Sequence, residues 1–173
     1  MDEALAVLQK EDHLPLVVVG VDRYLALYQE VTKDPDAIVG VVAGSHDDPN
    51  PTALGRLVWP VFKSGATLRR TRALARLGEA VGANRYASGI DQVWRAVFEK
   101  RCQTLLVETG FEHPADLSPQ GDRLLDYTAR GAAALDDAVD EVIERVIADG
   151  GDVFFYDPGV LDLHQRIAAV LRY

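Results

Sequence analysis

Uninterrupted apolar runs alternate along the chain with stretches of helical period. Residues 14–20, 37–43, 104–108 and 152–156 are short apolar runs typical of strands buried on both faces, and a further strand is expected over 167–172. The segments between them carry apolar residues three and four positions apart, the spacing of a helix that buries one face. Helices that alternate with apolar strands indicate an α/β fold in which helices cover a sheet.

Between residues 20 and 100, three segments with helical period follow from this pattern. Asp22 is expected to cap the first helix, and Ser88 is expected to cap a helix that carries an apolar stripe from Ile90 to Phe98. Residues 52–84 predict a long helix. Trp59-Pro60 is expected to kink or restart this helix, because a proline ring clashes with the preceding turn.

The second half of the chain contains a predicted loop that is followed by a predicted helix. Residues 109–131 include two prolines and three glycines, which favour a long loop. Residues 132–148 predict an amphipathic helix, and Gly150-Gly151 directly after it is typical of a left-handed C-cap.

Length and composition narrow the class of protein. The chain has 173 residues, 48% hydrophobic and 26% charged, which excludes a disordered chain and suits a globular one. Its one cysteine, Cys102, cannot form an internal disulfide, which fits a reducing compartment. No apolar run approaches the roughly 20 residues of a membrane span. We expect a soluble cytoplasmic protein that neither enters a membrane nor requires a cofactor.

The charge is acidic and unevenly distributed. The formal net charge is −9, of which −1 falls on residues 1–85 and −8 on residues 86–173. A nucleic-acid-binding protein usually presents a basic surface, because contacts to phosphates supply most of its affinity. The second half therefore favours protein partners over nucleic acid.

The last 70 residues contain three short motifs whose order resembles that of a known protein domain. Thr104-Leu105-Leu106-Val107-Glu108, then Gly150-Gly151-Asp152-Val153, then Arg166-Ile167-Ala168-Ala169-Val170-Leu171-Arg172-Tyr173 follow one another in order. This arrangement resembles the C-terminal domain of the archaeo-eukaryotic release factor superfamily, which includes Pelota. Residues 14–28 and the Trp59-Pro60 region resemble the bacterial branch of that superfamily, where the end of the middle domain and a connecting helix precede the last domain.

The resemblance implies an architecture and a role. We expect a partial β-α-β segment over 1–51, a connector helix over 52–85, and a C-terminal α/β/α sandwich over 86–173. Complete members are about twice as long, so the chain resembles the rear part of one. The Gly-Gly-Gln of peptide-releasing members is absent, since the only Gly-Gly pair precedes Asp152. The resemblance therefore implies a ribosome-associated factor of release, rescue or hibernation type that does not release peptide.

Two charged clusters are candidate contact sites. In relatives, the last domain commonly docks a translational GTPase, and the resemblance implies that in bacteria this partner is elongation factor Tu. The candidate docking face is an acidic helix, formed by Asp136, Asp137, Asp140, Glu141 and Glu144. The dense basic group is a candidate contact for ribosomal RNA phosphates, formed by Arg69, Arg70, Arg72 and Arg76. Solvated helix faces are the ordinary interpretation of both clusters.

Other polar residues offer weaker chemistry. His46-Asp47-Asp48 contains metal-ligand types but is better interpreted as a polar turn. His113 and His164 lie in predicted loops, with no serine or carboxylate at a diagnostic spacing. Cys102, between Arg101 and Gln103, is expected to be a buried and inert thiol. No motif demands an active site.

Two alternatives to a translation factor stay open. The chain is alternatively a small enzyme or ligand-binding domain that uses the 109–131 loop and the His46-Asp47-Asp48 turn. A third hypothesis is an RNA-binding module of ribosomal-protein-like fold, which the acidic balance opposes. A homodimer is also expected, because a two-stranded segment exposes a sheet edge that can pair with a second copy.

Overall fold

The computed structural model describes residues 14–33, 35–45, 50–128 and 134–173. The chain divides into two compact units, Met1–Thr71 and Arg72–Tyr173. His46-Asp47-Asp48 lies outside the described residues.

The first unit contains a β-α-β passage, as the apolar runs predict. Strand β1 (Leu16–Gly20) pairs in parallel with β2 (Ile38–Ala43), and helix α1 (Asp22–Val31) connects them through a 3-10 turn at Pro35–Ala37. The expected cap at Asp22 is wrong. Val21 is the N-cap without a side-chain hydrogen bond, and Asp22 lies in the first turn, where its charge favours the helix dipole.

A 32-residue helix, α2 (Pro51–Gly82), extends from the first unit into the second. It begins after Asn50, whose side-chain oxygen accepts the backbone N–H of Thr52 at 3.0 Å. The helix continues through Pro60, so the expected restart there is wrong. Gly65 lets α2 approach β2 closely, because a Cβ at this position would overlap the carbonyl oxygen of Val39.

The second unit is built on a four-stranded sheet with the strands Tyr86–Ser88 (β3), Cys102–Glu108 (β4), Asp152–Tyr156 (β8) and Ile167–Leu171 (β9). Their order in the sheet is β3-β9-β4-β8. Strand β4 runs parallel to β8 and antiparallel to β9, and β3 runs antiparallel to β9.

Helices cover both faces of this sheet. Helices α3 (Ile90–Phe98) and α4 (Ala138–Ala148) enclose the larger core with Leu105 and Val107 of β4. Leu106 points to the opposite face, where it packs with Leu77 of α2. Successive residues of β4 thus serve opposite cores, which confirms the α/β/α sandwich and explains the uninterrupted apolar run.

The described part of the predicted loop, residues 109–128, contains two short strands. Strand β5 (Ala115–Leu117) pairs with β6 (Leu124–Leu125) and with β7 (Ala134–Leu135) in a small antiparallel sheet. The indole N–H of Trp94 donates to the carbonyl oxygen of Gly121 at 3.0 Å. This region is therefore attached to the main core by a buried tryptophan.

Two helix starts differ from the predictions. Gly89, not Ser88, is the N-cap of α3, with a φ of +76° that favours glycine. Helix α4 begins at Ala138 and not at 132, because Asp137 caps it through the N–H of Val139.

The end of α4 has the predicted form. Gly150 adopts a φ of +72°, and its N–H donates to Ile147 while that of Gly151 donates to Val146. These two hydrogen bonds make a Schellman motif, so the predicted left-handed C-cap is confirmed.

Candidate functional site

Glu108 ends β4 and is 2% exposed. One carboxylate oxygen, Oε1, accepts the N–H groups of Gly159 at 2.8 Å and of Leu161 at 2.7 Å. The other, Oε2, accepts Nε–H of Arg166 at 3.1 Å. The hydrogen bond from Leu161, with help from Arg166 and Gly159, holds the pKa of Glu108 below its ordinary value, although burial acts in the opposite direction.

Arg166 connects Glu108 to the loop that follows β4. Its Nη2 donates to the carbonyl oxygen of Gly110 at 3.2 Å, and its guanidinium lies 5.0 Å from the ring centroid of Phe111. Arg166 itself has a φ of +72°, which a non-glycine residue adopts only when its surroundings hold it there. Glu108 and Arg166 together join residues 109–111 to the segment Asp157–Arg166, hereafter the β8–β9 loop.

His164 supplies a second attachment of the β8–β9 loop. Its Nδ1 lies 3.1 Å from Oγ of Ser88, and its ring meets Tyr86 edge-on at 6.2 Å. The N–H of Gly89 already donates to the carbonyl oxygens of His164 and Ile167, so it is not available to a reacting oxyanion. The serine–histidine contact therefore positions the loop, and its separation of 76 residues explains why no sequence spacing predicted it.

A cleft of about 190 Å³ opens beside Glu108, at the carboxyl ends of the parallel strands β4 and β8. In open α/β sheets this edge is where ligands commonly bind. The cleft combines apolar side chains with carboxylates: Val107, Glu108, Gly110, Phe111, Glu112, Asp137, Val139, Asp140, Ile143 and Phe155 line it. It therefore suits a partner group that is apolar and positively charged.

The structure divides the predicted acidic face. Asp137 accepts the N–H groups of Val139 and His113, each at 2.9 Å, and so stabilises the start of α4. Glu141 pairs with Arg145 at 2.7 Å. Asp140 and Glu144 are exposed on the same helix, and Asp140 also lines the cleft.

The four candidate arginines all lie on α2. Arg69 and Arg70 belong to the first unit, whereas Arg72 and Arg76 belong to the second. Arg69 is half-buried and the other three are exposed. Arg72 and Arg76, four residues apart, share one helix face.

The described residues contain no group of three or more side chains suited to hold a metal ion. In the same part of the chain, no helix has both the length and the apolar character that crossing a bilayer requires.

Cys102 is buried at the start of β4, and burial raises the pKa of its thiol to about 12 despite the opposing charge of Arg172. We expect the native chain to react with a thiol reagent at pH 8 at least about 100-fold more slowly than the urea-unfolded chain, because only the thiolate attacks. The absorbance of the thiolate that the reagent releases measures the reaction of Cys102, the only cysteine of the chain. Equal rates in the two states would contradict an inert thiol.

Comparison with known proteins shows which structures and which family this chain is similar to. No curated protein matches it. Among solved structures, the C-terminal domain of a peptide chain release factor from Methanosarcina mazei is similar with a TM-score of 0.50 and 18% identity, over 73% of this chain and 97% of that domain. Dom34 from S. cerevisiae is similar with a TM-score of 0.51 and 14% identity, over 99% of this chain and 51% of Dom34.

The chain thus spans about half the length of Dom34, and these likenesses show a shared fold. The family of this chain is shown by a match to a family model. The model of the bacterial archaeo-eukaryotic release factor family 3 matches residues 1–101, more than half of the chain. The chain therefore belongs to the bacterial archaeo-eukaryotic release factor family 3.

Proposed function

We propose that this chain is part of a ribosome-associated translation factor of release, rescue or hibernation type that acts without releasing peptide. The observation that carries the proposal is the family match over residues 1–101. The α/β/α sandwich of the second unit supports it, since a release factor C-terminal domain has the same fold.

A non-catalytic role is supported by the state of the polar groups. The only Gly-Gly pair forms the C-cap of α4 and precedes Asp152, so it offers no Gly-Gly-Gln. The carboxylate of Glu108 accepts three hydrogen bonds from its own chain. The thiol of Cys102 is buried, with a raised pKa. The pair and the carboxylate serve the fold and the thiol is inert, which supports a binding role.

We also propose a role for each of three segments of the chain. Residues 1–51 serve as a partial middle domain, 52–85 as a connector helix, and 86–173 as the last domain. The course of α2 supports this connector, since one helix spans nearly the whole range. The half-length match to Dom34 supports a longer parent factor. A ribosomal role would place that factor in the cytoplasm.

We propose elongation factor Tu as a protein partner and ribosomal RNA as a second contact. Dom34 is described as a translation termination-like factor that interacts with Hbs1. The exposed carboxylates of Asp140 and Glu144 support a protein contact, and exposed Arg72 and Arg76 support a contact to phosphates. A homodimer is proposed as well, supported by the exposed stripe of Tyr24, Leu27 and Val31 on α1.

Co-sedimentation with purified bacterial 70S ribosomes tests the role. We expect the chain to pellet with ribosomes, and R72Q/R76Q to bind several-fold more weakly with a salt dependence reduced by about two phosphate contacts. R56Q, which changes an exposed arginine elsewhere on α2, is the matched control and should bind as the wild type does. A wild-type chain that stays in the supernatant at low salt would contradict the ribosomal role.

A further inference from the structure

The β8–β9 loop presents an apolar tip. Leu163 is 94% exposed, more than any other large apolar side chain among the described residues. Val160, on the same loop, is 44% exposed. Their neighbour Leu161 is fully buried in the core that contains Leu106, so the loop is anchored by one leucine and displays another.

The loop holds Leu163 in a defined position. Next to it, the N–H of His164 donates to the carbonyl oxygen of Leu161 at 2.8 Å, and the N–H of Gln165 donates to the carbonyl oxygen of Asp162 at 3.2 Å. Gln165 and Arg166 both have positive φ values, of 54° and 72°, which the surrounding contacts must maintain. Glu108 and Ser88 attach the loop to β4 and β3. The backbone of so constrained a loop loses little entropy when the side chain that it presents binds.

The charges beside the tip indicate its partner. Asp157 and Asp162 are exposed on the same loop, and residues 86–173 carry a formal charge of −8. These carboxylates repel nucleic-acid phosphates and attract basic side chains. An apolar tip between carboxylates is complementary to an apolar pocket that basic residues surround.

We propose that Leu163, supported by Val160, is the anchor by which this chain binds a folded protein partner that offers an apolar pocket with a basic rim. The inference rests on the proposed function, since it names the surface that a translational partner would contact. It adds the β8–β9 loop to the acidic face of α4 as a surface of that contact.

Binding to purified elongation factor Tu and to purified 70S ribosomes, measured separately by biolayer interferometry, tests the anchor. We expect L163N to raise the Kd for the bound partner on the order of 10- to 100-fold, because burial of one leucine is lost. L163M should bind within about threefold of wild type, since methionine conserves apolar volume. L125N is the matched control and should bind as the wild type does, because Leu125 is also exposed, at 47%, but lies on β6, away from both surfaces.

The outcomes separate the two proposals. Binding by the wild type with equal binding by L163N overturns the anchor and leaves the translational role intact. Binding by the wild type to neither partner overturns the translational role and the anchor with it. Equal melting temperatures of L163N and the wild type show that a loss of binding is not a loss of folding.

A photo-crosslinking amino acid at position 163 identifies the chemistry of the contact. With 70S ribosomes and elongation factor Tu present, we expect adducts to a protein, which digestion and mass spectrometry would locate. Adducts confined to ribosomal RNA would overturn a protein pocket.

Discussion

Glu108→Ala is expected to lower the Tm by several degrees and to release the β8–β9 loop. The substitution removes the acceptor of the Gly159 and Leu161 N–H groups and of Arg166. Buried donors that lose their partner destabilise the folded state by more than the hydrogen bond contributes. Trypsin should then cleave the native chain after Arg166 faster than it cleaves the wild type, because the loop has lost its attachment to the Glu108 side chain and keeps those through His164 and Leu161.

Glu108→Gln separates the contribution of the two backbone N–H groups from that of Arg166. Its amide oxygen can still accept the N–H groups of Gly159 and Leu161, whereas its amide N–H₂ cannot accept from Arg166. We therefore expect a smaller fall in Tm than for Glu108→Ala. Glu112→Ala, an exposed carboxylate four residues along, is the control and should melt as the wild type does. Equal melting of E108A and E112A would contradict a structural role for Glu108.

The pH dependence has a definite sign. Hydrogen bonds hold the folded-state pKa of Glu108 below its ordinary value of about 4.5, so the unfolded chain takes up the proton first as the pH falls. The stabilisation is complete above that value and is lost as the pH falls through the folded-state pKa. The Tm difference between wild type and E108Q should be constant near neutral pH and shrink below about pH 4.5. A difference that stays constant down to pH 3 would contradict the ionised pair.

Trp94→Ala is expected to lower the free energy of unfolding by about 3–5 kcal/mol, as for other large core deletions. Trp94 is 1% exposed, and its ring lies under the guanidinium of Arg145 at 5.2 Å. Its N–H also attaches Gly121 to the core. Trp94→Phe should cost about 1 kcal/mol for that hydrogen bond and an additional amount for the smaller ring.

The chain has two tryptophans, so Trp59 is a natural control. Trp59 is 62% exposed and stacks on Phe62 at 5.7 Å. Trp59→Ala should therefore cost no more than about 1.5 kcal/mol. Urea unfolding followed by far-ultraviolet circular dichroism measures all three variants. A larger loss for W59A than for W94A would contradict the placement of the core.

Three strands of the main sheet, β4, β8 and β9, could be predicted because consecutive apolar residues mark each of them. Apolar runs lie within residues 104–108 and 152–156, and the structure shows β4 and β8 there, whereas the short strand β3 was not predicted. The helix starts were less predictable, because several polar residues near each start can cap it. Asp22 and Ser88 were plausible caps, yet the chain enters those helices through Val21 and Gly89.

The candidate site was predictable only in part. Asp140 was already a candidate from its place on an acidic helix, and the structure puts it in the cleft. Glu108 gave no signal, because a single carboxylate at the end of an apolar strand resembles any residue that starts a loop. Its partners Gly159, Leu161 and Arg166 are 51 to 58 residues away, and only strand pairing brings them together.

The sequence by itself determined the alternation of strands and helices, the acidic second half and the likeness to release factors. The first two properties depend on local apolar patterns and on composition, and the likeness depends on short motifs, so each is present in residues that are neighbours along the chain. Only the tertiary structure decided that Glu108, Arg166 and Ser88 hold one loop and that Leu163 stands exposed at its tip. Those contacts join residues that are distant along the chain, and their geometry depends on how β4, β8 and β9 pair.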